Sequence, residues 1–329
     1  MTRSRTFGWR ALLSAATLTL AAALCAPGAA QAQTKLRIAG LKTTALIPLY
    51  LADRAGHFKA EGLEVEFVML AAGPAVASAV SSGSAEIGYS ASIPVIYARA
   101  ANQPFKIFTT LSQETGAPGG AWVWLVASEK SGVDSMKGLA GKTILYNAAS
   151  SLCELEYRDH LAKAGVAWDS VKKVVVPFPQ MQAALELGNA DSACIIEPFY
   201  TGMKISPNIK AKTLAAGMLA DLDPRKGVAL DVLFVREDWG MKNMDVLKRF
   251  HKALGKAVAD IVRDPSIRKR MVIEEFKLSP AISSLIKTEL NYTDFNPRVD
   301  MIEPILTGMS RHGMLKSPLK AEDLVLTVK

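Results

Sequence analysis

The 329-residue sequence predicts an α/β fold of two similar lobes, each a mainly parallel sheet flanked by helices, joined by a two-strand hinge. Three observations carry this. The order strand, helix, strand, helix, strand occurs twice. The two passages share a turn pattern at one constant offset, with Gly83, Ala85 and Glu86 in the first and Gly188, Ala190 and Asp191 in the second. Two apolar, strand-like runs, 122–129 (WVWLVASE) and 231–238 (DVLFVRED), bracket the second passage, so the chain crosses between the lobes twice.

The elements follow in order. Residues 1–32 read as a secretory leader: Arg3, Arg5 and Arg10, then an apolar run, then Ala30-Gln31-Ala32 as a cleavage signal after Ala32. Leu24 stands before Cys25 where a lipid anchor needs a small residue, so no anchor is expected. Lobe one is expected over 33–118. Residues 35–41 alternate as a strand. From Pro48 the apolar positions Leu49, Leu51, Ala52, Ala55 and Phe58 recur at helical spacing, and Gly62 ends that helix. A strand over 64–70, a helix from Pro74 stopped by Gly83, and a strand over 86–89 complete the unit. Lobe two, 119–238, repeats it: a strand over 142–146, a helix over 151–164 closed by Gly165, a strand over 173–177, a short helix over 181–187 and a strand over 192–196. Residues 239–329 are helical and expected to pack back on lobe one, with Leu247, Phe250, Leu254, Val258 and Ile261 on one stripe.

Charge and residue counts exclude several functions. The formal net charge is +8, and it falls when a leader with three arginines and no acid is removed. No dense Lys/Arg run interleaved with aromatics suggests nucleic acid. The four histidines are scattered, and no metal-binding spacing is present. Cys153 and Cys194 read first as two small buried residues, with a disulfide left open by the oxidising compartment of an exported chain. Gly141-Lys142-Thr143 imitates a phosphate loop, but Met136 stands where its first Gly belongs, and the segment precedes a strand. Gly88 to Ser92 lacks the final Gly of a nucleophile elbow. Glu154 and Glu156, two apart on a helix, face different sides and read as a solvated face. No catalytic residue, cofactor or metal site is expected.

Hydrogen-bonding groups do cluster after the strands, where open α/β sheets hold ligands. They are Thr43 and Thr44 after the first strand, Gly73 after the second, Ser90 and Ser92 at the third, Asn147, Ser150 and Ser151 after the fourth, and Glu197 after the last. Ser151 with Glu154 spells a capping box, so Ser151 either caps the helix or offers its terminus to a polar ligand. Trp122, Trp124 and Phe199 are candidates for stacking on a flat ligand or for core packing.

The run GLKTTALIPLYLADRAGHFKAEGLEVEFV, followed by GSAEIGYSASIP, SGVDSMKGLAGKTILY and IIEPF, resembles the periplasmic substrate-binding proteins of ABC importers for nitrate, sulfonates, taurine and related compounds. The resemblance implies a hinged, two-lobed periplasmic binding fold of the second type. It implies a monomer that captures a solute and delivers it to an inner-membrane permease powered by a separate ATPase. Thr43, Thr44, Gly73, Ser90, Ser92, Asn147, Ser150, Ser151 and Glu197 match the family's ligand-lining loops. The pyrimidine-synthesising enzymes that share this fold carry a Cys-rich segment absent here. A small organic anion, a sulfonate or carboxylate with aromatic ones included, is the first expected ligand, and a pyrimidine- or amine-type solute is the second. An exported enzyme or a sensor-partner protein are the other classes that this fold admits.

Overall fold

The computed structural model describes residues 33–286 and 295–329; the expected leader, its cleavage point and Cys25 lie outside them. Residues Thr34–Lys329 form one compact unit. In chain order its first half holds strand β1 (Thr34–Gly40), helices α1 (Ile47–Arg54) and α2 (His57–Ala60), β2 (Leu63–Met69), α3 (Gly73–Ser81), β3 (Ile87–Ala91), α4 (Ser92–Ala100), β4 (Phe105–Thr110) and β5 (Gln113–Glu114). Then come β6 (Val123–Ser128), β7 (Thr143–Tyr146), α5 (Leu152–Lys163), β8 (Lys172–Val175), α6 (Phe178–Glu186), β9 (Ser192–Ile196), α7 (Phe199–Ile205) and β10 (Ala211–Ala216). The remainder is β11 (Val228–Ala229), β12 (Asp231–Arg236) and helices α8 (Glu237–Lys242), α9 (Met244–Arg263), α10 (Ser266–Phe276), α11 (Pro280–Leu285) and α12 (Glu303–Arg311).

Two five-stranded sheets result, ordered β2-β1-β3-β12-β4 and β8-β7-β9-β6-β10. The two orders are the same topology. In each, the first three strands are parallel, and a fourth, reversed strand is inserted before the last. The repeated turn pattern marks equivalent points: Gly83 and Gly188 both adopt left-handed φ, 75° and 74°, just before β3 and β9. That conformation suits glycine because it has no Cβ to clash.

Three expectations are corrected. Residues 48–62 do not form one helix. Gly56 takes φ 73° and divides α1 from α2, because an αL residue cannot continue a right-handed helix. The runs 122–129 and 231–238 are not the hinge. β6 and β12 are interior strands of the two sheets, and all six residues of β6 are buried, as strands covered on both faces must be. The crossing is instead a separate two-stranded sheet, β5 with β11. There the buried carboxylate of Glu114 accepts the backbone N–H groups of Trp122 (2.9 Å) and Met218 (2.5 Å). The tail does not stay on the first lobe either. α9 lays its apolar stripe on α1 and α2, with the Phe250 ring tilted against that of Phe58 at 5.0 Å between centroids. However, α11 packs on α7 and α12 on α5, both in the second lobe. The latter contact is polar. Asp159 of α5, buried, accepts from His312 Nε2 at 2.6 Å, Arg311 and the Ala220 N–H.

Candidate functional site

A parallel strand aims its last residues at the same edge of the sheet as its neighbours. The loops after β1, β2, β3, β7, β8 and β9 therefore converge, and a pocket lies where the two sets meet. The first lobe contributes Leu41, Thr43, Thr44, Gly73, Tyr89, Pro94 and Asp231; the second contributes Trp122, Asn147, Ser151, Phe178 and Glu197. Asp231 and Trp122 arrive by a different route. They stand at the start of the reversed strands β12 and β6, whose registers set Asp231 beside Ala91 and Val123 beside Ile196. An antiparallel strand starts where its parallel neighbours end, and so delivers its first residue to the same pocket.

The lobe-one wall is a hydrogen-bonded chain. Thr43 Oγ1 lies 2.6 Å from Tyr89 Oη. Tyr89 Oη donates to Asp231 Oδ1 at 2.8 Å, and Ser112 Oγ donates to Asp231 Oδ2 at 2.5 Å. The single phenolic proton is used on Asp231, so the Thr43 hydroxyl donates to Tyr89 and turns lone pairs to the pocket. Burial pushes the Asp231 carboxyl above its ordinary value, and the bonds from Ser112 and Tyr89 oppose that rise.

The lobe-two wall is less satisfied. Asn147 Oδ1 and Ser151 Oγ are buried with no hydrogen-bond partner. The expected capping box is absent: Ser151 is the N-cap of α5 but its side chain accepts no helix N–H. Glu154 instead takes the Ser150 N–H at 2.7 Å, which leaves the Ser151 hydroxyl free for the pocket. A buried polar atom without a partner costs about 1–3 kcal/mol, so two on one wall are groups that a bound molecule or water would complete. Glu197, buried, accepts from the Thr201 hydroxyl (2.8 Å) and N–H (3.2 Å) at the start of α7.

Of the nine positions expected from the sequence, Thr43, Thr44, Gly73, Asn147, Ser151 and Glu197 line this pocket. Ser90 and Ser92 do not; their hydroxyls are used on the carbonyls of Ala91 and Ala229, both at 2.7 Å. Ser150 lies beside a separate groove between α3 and α4. Gly73 has an internal reason to be glycine, because a Cβ there would sit 2.5 Å from the Pro94 ring. Trp122 lines the pocket, Trp124 stacks on Tyr200 at 4.1 Å, and Phe199 stacks on Phe178. Tyr89, Asp231 and Phe178 are lining residues that the sequence reading passed over: Asp231 opens a reversed strand, Tyr89 lies within β3, and Phe178 opens α6 after β8.

Beneath this wall a pairing left open by the sequence is formed, and one expectation fails. Cys153 and Cys194 are paired as a disulfide with Cα atoms 5.6 Å apart. Glu154 and Glu156 are not a solvated face; both are buried. Glu156 lies 3.1 Å from Cys194 Sγ, and its Oε1 has no hydrogen-bond partner. Burial, and then the nearby Glu114 charge, hold its carboxyl well above the usual range.

Residues 43–267 match the profile described as NMT1/THI5 like. The chain belongs to the NMT1/THI5-like family. Among this family's curated relatives is a Bacillus subtilis protein provisionally named an aliphatic sulfonates-binding protein. It is 25% identical over 278 residues, covering 78% of this chain and 80% of its own. A second, the 4-amino-5-hydroxymethyl-2-methylpyrimidine phosphate synthase of Schizosaccharomyces pombe, is 22% identical, over 67% of this chain and 62% of its own. Among solved structures, the alkanesulfonate-binding protein of Xanthomonas axonopodis pv. citri, bound to MOPS, superposes with a TM-score of 0.75 at 18% identity. That match spans 90% of this chain and 99% of the other. At that identity the likeness is one of fold: the two-lobed α/β architecture of periplasmic binding proteins.

Proposed function

We propose that this NMT1/THI5-like chain is a periplasmic solute-binding component of an ABC importer. It closes its lobes on a small planar solute through that solute's hydrogen-bond donors and carries it, unaltered, to a membrane permease. The observation that carries this reading is the chemistry of the pocket. Asn147 Oδ1 and Ser151 Oγ lack partners on one wall, and Asp231 and Thr43 offer acceptors on the other. Two carboxylates line the space, and no Lys, Arg or His does so among the described residues. An anion pushed onto that floor would meet like charge in a low-dielectric setting, whereas an amine, amidine or ring N–H would meet acceptors. Tyr89, Trp122 and Phe178 supply flat surface for a ring. The geometry thus favours the amine- or pyrimidine-type solute over the organic anion.

The anion retains one specific support. The pocket receives the first turns of α3, α5 and α6, whose unpaired N–H groups attract negative charge. A thermal-shift screen of the mature chain against aromatic amines, pyrimidines, sulfonates, carboxylates and nitrate separates the two, because a ligand of the native state raises the melting temperature. Amine-bearing rings are expected to stabilise the chain. Stabilisation by simple sulfonates or nitrate alone would reverse the assignment, and turnover of a bound compound would make the chain an enzyme.

A further inference from the structure

The pocket continues toward the surface on the side away from its floor. A second cavity adjoins it and shares Leu41, Thr43 and Phe178 with it. Its remaining lining is Lys42, Leu70, Ala71, Pro177, Pro179, Phe199 and Phe276, drawn from both lobes and from α10. The chemistry here is opposite to that of the floor. Carboxylates are absent from this lining, three phenylalanines are present, and the one charged group is Lys42. Phe178 and Phe199 are stacked with planes 15° apart. Lys42 is exposed, and its Nζ stands 5.6 Å over the Phe276 ring. No acidic side chain of the described residues lies within ion-pair distance of it, whereas Arg54 is paired with Glu274 and Glu275, and Arg158 with Glu154. A cation held over an aromatic face, with no counter-ion among the described residues, is suited to an anionic group of a ligand.

We infer that the natural ligand is two-ended: an amphoteric ring whose N–H donors reach Asp231 and Asn147 on the floor and whose acidic group lies at the mouth beside Lys42, with Phe178 along its body. The inference rests on the binding reading above and adds the second subsite and the substrate class. Lys42 directly precedes Thr43, which belongs to both cavities, so one loop presents the acceptor for the inner end and the cation for the outer. The requirement is for opposite chemistries at the two ends of one flat molecule. It reconciles an acceptor-lined floor with a chain whose loops otherwise suit an acid.

Three matched probes test this by calorimetry on the mature protein. Para-aminobenzenesulfonate has both ends, benzenesulfonate only the acid, and para-aminobenzamide the amine with an uncharged tail. The two-ended probe is expected to bind at least tenfold tighter than either of the others. Lys42→Gln is expected to weaken it about fivefold, the scale of a rim ion pair, and to leave para-aminobenzamide unchanged; Lys42→Glu weakens it further. Asp231→Asn is expected to weaken both amine-bearing probes. If Asp231→Asn has its effect but Lys42→Gln moves no probe, or all three alike, the second subsite is wrong and the inner site stands. If probes bind yet respond to neither variant, the cleft reading itself falls. If none of the three binds, the amphoteric class is overturned.

Discussion

In the proposed reading, the pocket's selectivity turns on Asp231. It is buried, it is fixed by Tyr89 and Ser112, and it ends the Thr43–Tyr89 chain. Its ionised form is the acceptor that an N–H ligand needs. Burial has moved its pKa upward, so affinity is expected to fall on acidification at a pH above the ordinary carboxylate range. Asp231→Asn should cost roughly tenfold to hundredfold in affinity, the value of one charged hydrogen bond, and should flatten the pH profile; calorimetry at several pH values checks both. Glu156 gives the opposite kind of prediction, one of stability alone. Its unfolded carboxyl ionises near the ordinary value of 4.5, while the folded one holds its proton to higher pH. The unfolded chain therefore releases a proton that the folded chain keeps, and stability falls as pH rises from that value to the raised one. Glu156→Gln should remove the slope and melt higher than the parent at alkaline pH, with little difference under acid. Neither role was legible in the sequence. Asp231 opens a run of apolar residues that reads as a crossing strand, and only its reversed direction brings it to the pocket. Glu156 sits on a helix whose polar residues give no apolar stripe, so burial on nearly every side left no periodic signal.

At the scale of elements, the sequence was most readable where one local rule acts alone. β9 was expected over the residues it occupies, because Gly188 and Asp191 mark its entry and an apolar run fills it. The stripe of α9 was equally plain, since a single helix face is buried against α1 and α2. α4 was invisible. Its run SIPVIYARA holds Ile93, Val95, Ile96 and Tyr97, which favour a strand, yet it is helical, with Pro94 packed against Gly73 of α3. The disulfide belongs to this scale as well. It fastens the first turn of α5 to β9, two residues from Ser151 on one side and three from Glu197 on the other. The pair is separated by 41 positions, so reduction or a Cys153→Ala/Cys194→Ala variant should destabilise the fold by roughly 2–5 kcal/mol. Because the tie also sets Ser151 and Glu197 against each other, ligand affinity should fall in parallel, even at temperatures where circular dichroism shows the variant fully folded. An unchanged affinity would make the tie purely structural.

For the whole molecule, two sheets of one topology are linked at β5–β11 and bridged again by the tail where α11 and α12 reach the second lobe. A pocket divided between such bodies can report its own occupancy only if the ligand interacts differently with the two arrangements of the lobes. Moving a population from mostly apart to mostly closed takes about 5.5 kcal/mol of differential binding. One hydrogen bond cannot supply that. Thr43 and Asp231 on one wall with Asn147 and Ser151 on the other can, because each buried acceptor recovers its own desolvation only when both walls touch the ligand. The walls should therefore be separable. Saturation with a tight ligand is expected to reduce the radius of gyration of the parent chain in small-angle scattering. The Asn147→Ala/Ser151→Ala variant should still bind through the first lobe, far more weakly, and at saturating ligand its radius should stay at the ligand-free value. If that variant compacts as fully as the parent, closure is driven from elsewhere, and the pairing of the two walls is not what moves the lobes.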